Sequence, residues 1–530
     1  MGNKSTTIYV RKATGLVRGF SAWDMLIFNI FAISPGVVLM VGPLEAAALY
    51  PGINFIYSMT LGMLLCLGNA LVWALLMIAI PRSGGVHVVG SYLLYPAIGF
   101  MLSWGYMMYY FYACGMYSSW AIKFALPTML STIGVASNIP SLVKWAEGIA
   151  TPINAFIGGT IIIIIVCLIS MFPKLQRKIF IGTFAIAMFG SVLALAILAS
   201  ATPAGFKQAF NEYMMATAGI SNGYDYIIAK AKELGFQMQG FDWRKLFLSI
   251  PLGYWTFMGY YASAHIAGEI KEPTKSLPIS IIGSLLFCWI FFSINIAVFY
   301  RVVGWEFTHA LGYLIYEHPE ALPLKQTPYL NLLVGILAKN VIINAIIGIS
   351  FFLWCVFIPI EVFVQASRYV FTWAFYRIAP EKFAAVHEKY RSPWVAIIVT
   401  GLGTWLFMIL YMFTPLFKTL LKYTLMNSII FFIIGICAIL LPIRKKELFE
   451  ASPEMVKKRI AGIPLIWIAS AINCLLYALV IYSSFSWSFA YWSFVILVFI
   501  PGLVIYYIAR AIRRRQGIDL DLAFMEIPPE

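Results

Sequence analysis

Ile33-Ser34-Pro35-Gly36 interrupts the first long apolar stretch of the chain, which runs from about Met25 to Leu49. A stretch of that length reads as a membrane-spanning helix. Proline and glycine at its midpoint are the residues least suited to a continuous helix. A second interrupted stretch follows some two hundred residues later, at Gly253-Tyr254-Trp255-Thr256-Phe257-Met258-Gly259. Two broken spans at matching positions in the two halves of a chain point to a transporter binding site at mid-membrane.

Composition sets the class. The 530 residues are 62% hydrophobic and only 11% charged, which is more apolar surface than a water-soluble protein can hide. The first twenty residues are polar and basic, and no small-residue cleavage site follows, so the first span is expected to act as its own targeting signal. The seven cysteines each fall in a different expected span and read as small apolar filler. The five histidines lack metal-ligand spacing. No paired acid motif, nucleophile elbow or metal cluster suggests an enzyme, and no cofactor is implied.

Hydropathy gives twelve spans, at roughly 23–49, 54–80, 88–126, 152–172, 179–200, 246–267, 278–303, 333–375, 393–413, 417–442, 462–483 and 487–510. The third and eighth are too long for a simple crossing, so each is expected to extend past the membrane or to tilt. With a cytoplasmic N-terminus, most of the 37 Lys and Arg fall on the inner side, among them Lys174, Arg177, Lys178, Lys457, Lys458 and Arg459. This inside-positive bias puts both termini in the cytoplasm of a multi-pass cell-membrane protein. It also explains the net charge of +15 without nucleic acid, because the cations are scattered over short loops.

The expected fold is therefore all-α, with twelve transmembrane helices. Spans one to five and six to ten match in length, and each set opens with a broken helix, which suggests a five-plus-five inverted repeat. The organisation reads as a cytoplasmic N-terminal segment (1–20), a first five-helix repeat (21–200), an extracellular loop (201–245) with a short surface helix near 224–234, and a second repeat (246–442). A cytoplasmic loop (443–461), two additional helices (462–510) and a cytoplasmic tail (511–530) complete it.

An unwound turn in hydrocarbon leaves backbone groups without partners, at roughly several kcal/mol each, so it must face protein, water or ligand. The half-helix after a break aims free N–H groups and a positive dipole end at the gap, which suits a carboxylate. The half-helix before it offers free carbonyls, which suit an ammonium group. One break can thus hold both ends of an α-amino acid. At the first break the donors would be the amides of Gly36 and Val37 with the hydroxyl of Ser34, and the carbonyls up to Ile33 would face the amine. Pro35 has no N–H to offer. At the second, Thr256, Phe257, Met258 and Gly259 would complete the site and Trp255 would wall off the side chain. The aromatic run Tyr106, Tyr109, Tyr110, Phe111 and Tyr112 either lines the pathway or packs helices. A plain proline kink is the alternative at either break taken alone.

Several segments resemble the amino acid–polyamine–organocation transporter superfamily. The entry Gly15-Leu16-Val17-Arg18-Gly19-Phe20-Ser21-Ala22-Trp23-Asp24 is similar to that family's amphipathic lead-in, and Pro81-Arg82-Ser83-Gly84-Gly85 to its Pro-x-Ser-Gly-Gly loop. Pro96, Gly99, Phe100 and Trp104 follow at the family's spacing. Gly268-Glu269-Ile270-Lys271-Glu272-Pro273 resembles its Gly-Glu-x-x-Asn-Pro segment, and Ser367-Arg368, Ala379-Pro380 and Pro393 its Ser-Arg…Pro…Pro stretch. The matches run from about residue 15 to 440. The resemblance implies a LeuT-like fold with helices 1 and 6 discontinuous, and secondary transport of amino acids, polyamines or related amines by alternating access. Spans three, eight and ten would also line the site. Departures are Ser34-Pro35-Gly36 where many members have Gly-x-Gly, Val86 and His87 where many have acidic and tyrosine residues, and Tyr261 where some exchangers carry glutamate.

Ionisable residues inside spans are costly and functional by default. Glu361 lies seven residues before the expected inner end at Arg368, roughly 10 Å at the helical rise, and would load and release a proton as access alternates. The alternative is a local pairing with an inner arginine or lysine. His265 is a second coupling candidate, or else a hydrogen-bonded interfacial histidine. The fifth span has no lysine between Ile179 and Ser200, and Cys355-Val356-Phe357-Ile358 lacks the hydroxyls a sodium site needs. Proton symport of an amino acid or amine is thus the expectation. An exchanger, a polyamine transporter and a non-transporting sensor stay open.

Overall fold

A clean break in a helix needs one residue that tolerates left-handed backbone, and Ser34 takes that position at φ 54°, ψ 76°. The computed structural model describes residues 18–414, 420–483 and 489–520. The outermost parts of the expected N-terminal segment and C-terminal tail, and the hairpin at 484–486, lie outside them. The first helix, α1 (Ala22–Ile33), opens on a capping box: the Asp24 amide donates to Ser21 Oγ at 3.2 Å, and the Ser21 amide to Asp24 at 2.9 Å. Ser34 separates it from α2 (Pro35–Leu49), in which Pro35 occupies the first helical position. An N–H there has no helical acceptor, so proline costs nothing and its fixed φ starts the new helix.

The long α3 (Phe55–Ala79) and the short α4 (Gly85–Leu93) follow. Next, α5 (Pro96–Trp120) runs through a π turn at Ala121–Ala125 into α6 (Leu126–Ala136). The expected start of this span at 88 is corrected to Pro96, because proline cannot continue α4. The further helices are α7 (Pro140–Ile149), α8 (Pro152–Ser170) and α9 (Pro173–Ser200). Two more, α10 (Pro203–Ala218) and α11 (Gly223–Glu233), fill the long loop where one short helix was expected. The sixth span begins as α12 (Trp243–Leu248) and α13 (Ile250–Trp255) and then leaves the α-helix altogether.

In the second half, α14 (Pro273–Val303), α15 (Trp305–Glu317) and α16 (Leu330–Gly335) precede the 35-residue α17 (Val341–Phe375). The eighth span therefore starts at Val341 and not at 333. Asn340 caps it by accepting from the amides of Ile342 and Ile343 at 2.9 and 3.2 Å. Helices α18 (Trp394–Phe413), α19 (Leu420–Arg444), α20 (Lys446–Ala451) and α21 (Glu454–Lys457) come next. A two-residue hairpin, β1 (Arg459–Ile460) with β2 (Ile463–Pro464), leads into α22 (Leu465–Ser483) and α23 (Phe489–Arg515).

Among the described residues, ten helices are long and apolar enough to cross a membrane, counting α1 and α2 as one. The two expected spans outside that set are instructive. Helix α5 is long enough, at 25 residues, but its tyrosines lower its hydropathy. The sixth span is too broken to register as one helix. Helices α1, α2 and α3 form the buried centre, whereas α8 turns Ile153, Ile157, Ile161, Ile164 and Leu168 outward, each about half exposed or more. Such a stripe would be a defect in water and is at home in lipid.

Small residues set the closest helix approach. A Cβ on Gly62 of α3 would fall 2.6 Å from the Gly253 carbonyl carbon of α13, so backbone meets backbone there. Gly62→Ala must push the helices apart and is expected to remove about 1–3 kcal/mol, read as a lower unfolding midpoint of the detergent-purified protein. Gly182→Ala, on α9 with no neighbour within 4 Å of the new carbon, should leave the midpoint unchanged or raise it.

Candidate functional site

The first break is one residue wide. Ser34 donates its amide to the Ile30 carbonyl at 3.0 Å, closing α1, and its own carbonyl receives Val38 at 3.1 Å, opening α2. The second break is a long unwinding. After Trp255 the chain turns through Gly259, at φ +118°, and continues only as short 3₁₀ pieces at Ala262–His265 and Ala267–Glu269. No α half-helix follows it. The reason is that this segment bonds to its neighbours: Gly84 donates to the His265 carbonyl at 2.9 Å, Gly19 and Phe20 to that of Glu269 at 3.0 and 3.2 Å, and Lys271 to that of Phe20 at 2.9 Å. Side chains anchor it too. Tyr260 donates to Asn69 at 2.5 Å, and Asn427 donates to Tyr261 at 2.8 Å.

The two breaks touch. A side chain on Gly259 would overlap the Ala32 carbonyl, so only glycine fits both this contact and this φ. Around the crossing lies a small cavity, of about 30 Å³. Ile33 and Val38 line it from the first break; Trp255, Met258, Gly259 and Tyr261 from the second. Helix α5 contributes Tyr106, Tyr109, Tyr110 and Tyr117, and α17 contributes Ile358, Glu361 and Gln365.

Of the residues singled out from sequence, Ile33, Trp255, Met258, Gly259 and Glu361, with Tyr106, Tyr109 and Tyr110 of the aromatic run, thus share one cavity. The others point elsewhere. Ser34 turns its hydroxyl to the Trp354 carbonyl at 3.3 Å, and a Cβ on Gly36 would strike the Trp354 ring. Val37 is buried outside the lining. Thr256 donates back to the Leu252 carbonyl at 3.0 Å. Phe257 packs on Phe292 at 5.9 Å, and Tyr112 meets the Tyr411 ring edge-on at 5.4 Å. His265 lies fully buried beside the cavity, between the hydroxyls of Tyr106 (3.0 Å, Nε2) and Tyr369 (2.8 Å, Nδ1).

Gln365 and Tyr117 escaped the sequence reading as site residues. Gln365 had a readable signal, since it follows Glu361 by four residues and so shares its helix face. It donates its amide N–H to Glu361 Oε1 and accepts from the Tyr110 hydroxyl. Glu361 therefore has an amide partner. The nearby arginines are committed to other acids: Arg368 forks onto Glu269 at 2.8 and 2.9 Å with both side chains buried, and Arg177 onto Asp24 at 3.0 and 2.9 Å. Those two pairs and the Phe20 backbone bonds close the bundle at the end where α1 begins. Glu361 also lines a second cavity on that side, with Asp24, Arg177 and Phe180.

A family model described as amino acid permease matches residues 20–507. Among curated proteins, the methylthioribose transporter of Bacillus subtilis (strain 168) is 24% identical over 396 residues, 74% of this chain and 74% of that protein. The branched-chain amino acid permease BcaP of the same organism is 23% identical over 395 residues, 74% of this chain and 73% of its own length.

Removing one partner of a buried ion pair strands the other charge, at about 3–5 kcal/mol. Arg368→Met should therefore lower the thermal unfolding midpoint clearly, and adding Glu269→Gln should recover most of the loss. An unchanged midpoint in Arg368→Met would show that the pair does not hold this end together.

Proposed function

The chain belongs to the amino acid permease family, and from that premise we propose that it is a secondary active transporter that moves amino acids or related amines by alternating access with proton symport. It is a multi-pass membrane protein. In this reading twelve segments cross the cell membrane, α5 and the unwound sixth span joining the ten apolar helices. Spans one to five and six to ten form an inverted repeat, and both termini face the cytoplasm.

One observation carries the proposal: the two helix breaks meet at a cavity that holds a carboxylate, Glu361, paired only with the amide of Gln365 among the described residues. The breaks supply backbone groups for the polar ends of a substrate. Gly36 and Val37 stand at the start of α2, where helical geometry leaves N–H groups without intrahelical acceptors. Ile33, Val38, Met258 and Ile358 supply apolar wall for a side chain. The two relatives differ in the cargo their names give, so the substrate class rests on this chemistry. Glu361, reaching both cavities, would carry the proton between the central site and the inner side. His265 would hold the unwound segment through its two tyrosines and stands as a second coupling residue.

Proteoliposomes test this directly. An imposed inward proton gradient should drive accumulation of labelled amino acids, and a sodium gradient alone should not. Glu361→Gln should lose proton-driven accumulation while keeping counterflow, because exchange needs the site but no net proton movement. Full proton-driven uptake in Glu361→Gln would remove its assigned role. Saturable binding with no counterflow in the wild type would identify a sensor instead of a carrier.

A further inference from the structure

Asn427 of α19 is fully buried and does not line the central cavity, yet it ties together the two sides of the second break. Its amide nitrogen donates to the Tyr254 hydroxyl at 3.0 Å and to the Tyr261 hydroxyl at 2.8 Å. Tyr254 belongs to α13, before the break, and Tyr261 stands after Gly259, where the chain is unwound. Between the two tyrosines lie Trp255, Met258 and Gly259, which line the cavity, and Tyr261 lines it too. One carboxamide therefore fixes both ends of the segment that forms a cavity wall.

The bridge needs a side chain with two hydrogens on one atom, and the asparagine amide supplies them. Its Oδ1 accepts no hydrogen bond among the described residues, and a buried acceptor left empty is costly. Turned over, the amide would strand two N–H groups in place of one oxygen. A side chain that only filled space between α19 and the break would carry neither burden.

Neighbours hold both tyrosines in place. One turn along α19, Phe431 meets the Tyr261 ring edge-on at 4.6 Å. From α22, Tyr477 donates to the Tyr254 hydroxyl at 3.3 Å, with the two rings edge-on at 5.2 Å. Asn473 of the same helix accepts from Asn69 at 2.7 Å, and Asn69 accepts in turn from Tyr260. In a cavity this small, a slight shift of the segment from Trp255 to Tyr261 changes the contacts a substrate meets.

We propose that Asn427 is a positioning residue for substrate binding: it sets the separation of Tyr254 and Tyr261, and so the place of the wall between them. The role rests on the transport reading and deepens it, since it gives a buried amide of the tenth span an effect on affinity without contact with substrate.

The test is counterflow in proteoliposomes, with a labelled L-amino-acid mixture as probe and its half-saturation concentration and maximum rate as readings. Asn427→Leu, similar in size and without donors, is expected to raise half-saturation about tenfold, with the maximum rate changed by less than about twofold. Tyr254→Phe removes one hydroxyl that lies off the cavity lining and should raise half-saturation about threefold; it serves if Asn427→Leu fails to fold. In a Tyr254→Phe/Tyr261→Phe background, Asn427→Leu should add less than about twofold, because the bonds it removes are already gone. An unchanged half-saturation in a folded Asn427→Leu or Tyr254→Phe overturns the proposal, as does a full further loss in the double-phenylalanine background. A fall in maximum rate alone overturns it too, since that would place Asn427 in the conformational step. If wild-type vesicles carry no amino acid, the transport reading falls and this role with it; if they do and half-saturation does not move, the clamp alone falls.

Discussion

Hydrocarbon offers a backbone no partners, and that constraint organises this molecule. From Thr256 to Ile270 the chain abandons the α-helix deep inside the bundle and keeps only short local turns, so the N–H and C=O groups those turns leave over need acceptors and donors from outside. They find them in the segments that carry the family-like motifs. The Ser83-Gly84 turn pairs with His265 and Ile266, and Gly19-Phe20 pairs with Glu269 and Ile270. The motifs at Pro81–Gly85, at the lead-in to α1 and around Gly268-Glu269 are thus one structural unit that lets the sixth span unwind. The cavity at Gly259 is the consequence.

Charge is distributed along the same axis with a clear division. Among the described residues four acidic side chains are buried: Asp24, Glu45, Glu269 and Glu361. Asp24 and Glu269 each hold an arginine in a two-point fork at the closed end. Glu361 takes an amide from Gln365, and Glu45 accepts no hydrogen bond at Oε2. The paired acids close the bundle, and the two without arginine flank or line the central cavity. A buried carboxylate lacking a counter-charge is costly, and here both such groups lie on α2 and α17, the helices that line the central cavity.

Much of this was legible in the residues. Pro35 and Gly36 announce the first break because neither sustains a helix, and Glu361 stands out in an apolar run. What stayed hidden is rotation about helix axes. Composition cannot say that Ser34 and Gly36 face Trp354 while Ile33 and Val38 face the cavity, because a one-residue left-handed turn resets the facing of everything after it. Nor could periodicity reveal that the chain after Gly259 is 3₁₀, since that depends on bonds to segments hundreds of residues away. Glu45 was within reach of the rule that picked Glu361. Yet Pro43-Leu44-Glu45 lies near the end of a span, where an acid reads as interfacial. Its burial under α15 and α16 decides otherwise.

The closed end also shows how such a bundle can open without a prohibitive barrier. A fork such as Arg368–Glu269 is strong while dry, because attraction in a low dielectric has no competitor. The same fork exposed to water is worth about 1 kcal/mol or less. Arg177 is already half exposed, while its partner Asp24 is mostly covered. Water reaching this end would therefore weaken the Asp24 pair first and then the Glu269 pair. The Phe20–Glu269 backbone bonds would follow, since they tie the lead-in to α1, beside Asp24, to the segment that carries Glu269. Opening in that order would replace each broken contact with hydration as it proceeds, so the pairs that hold this end firmly are also ones that wetting can release.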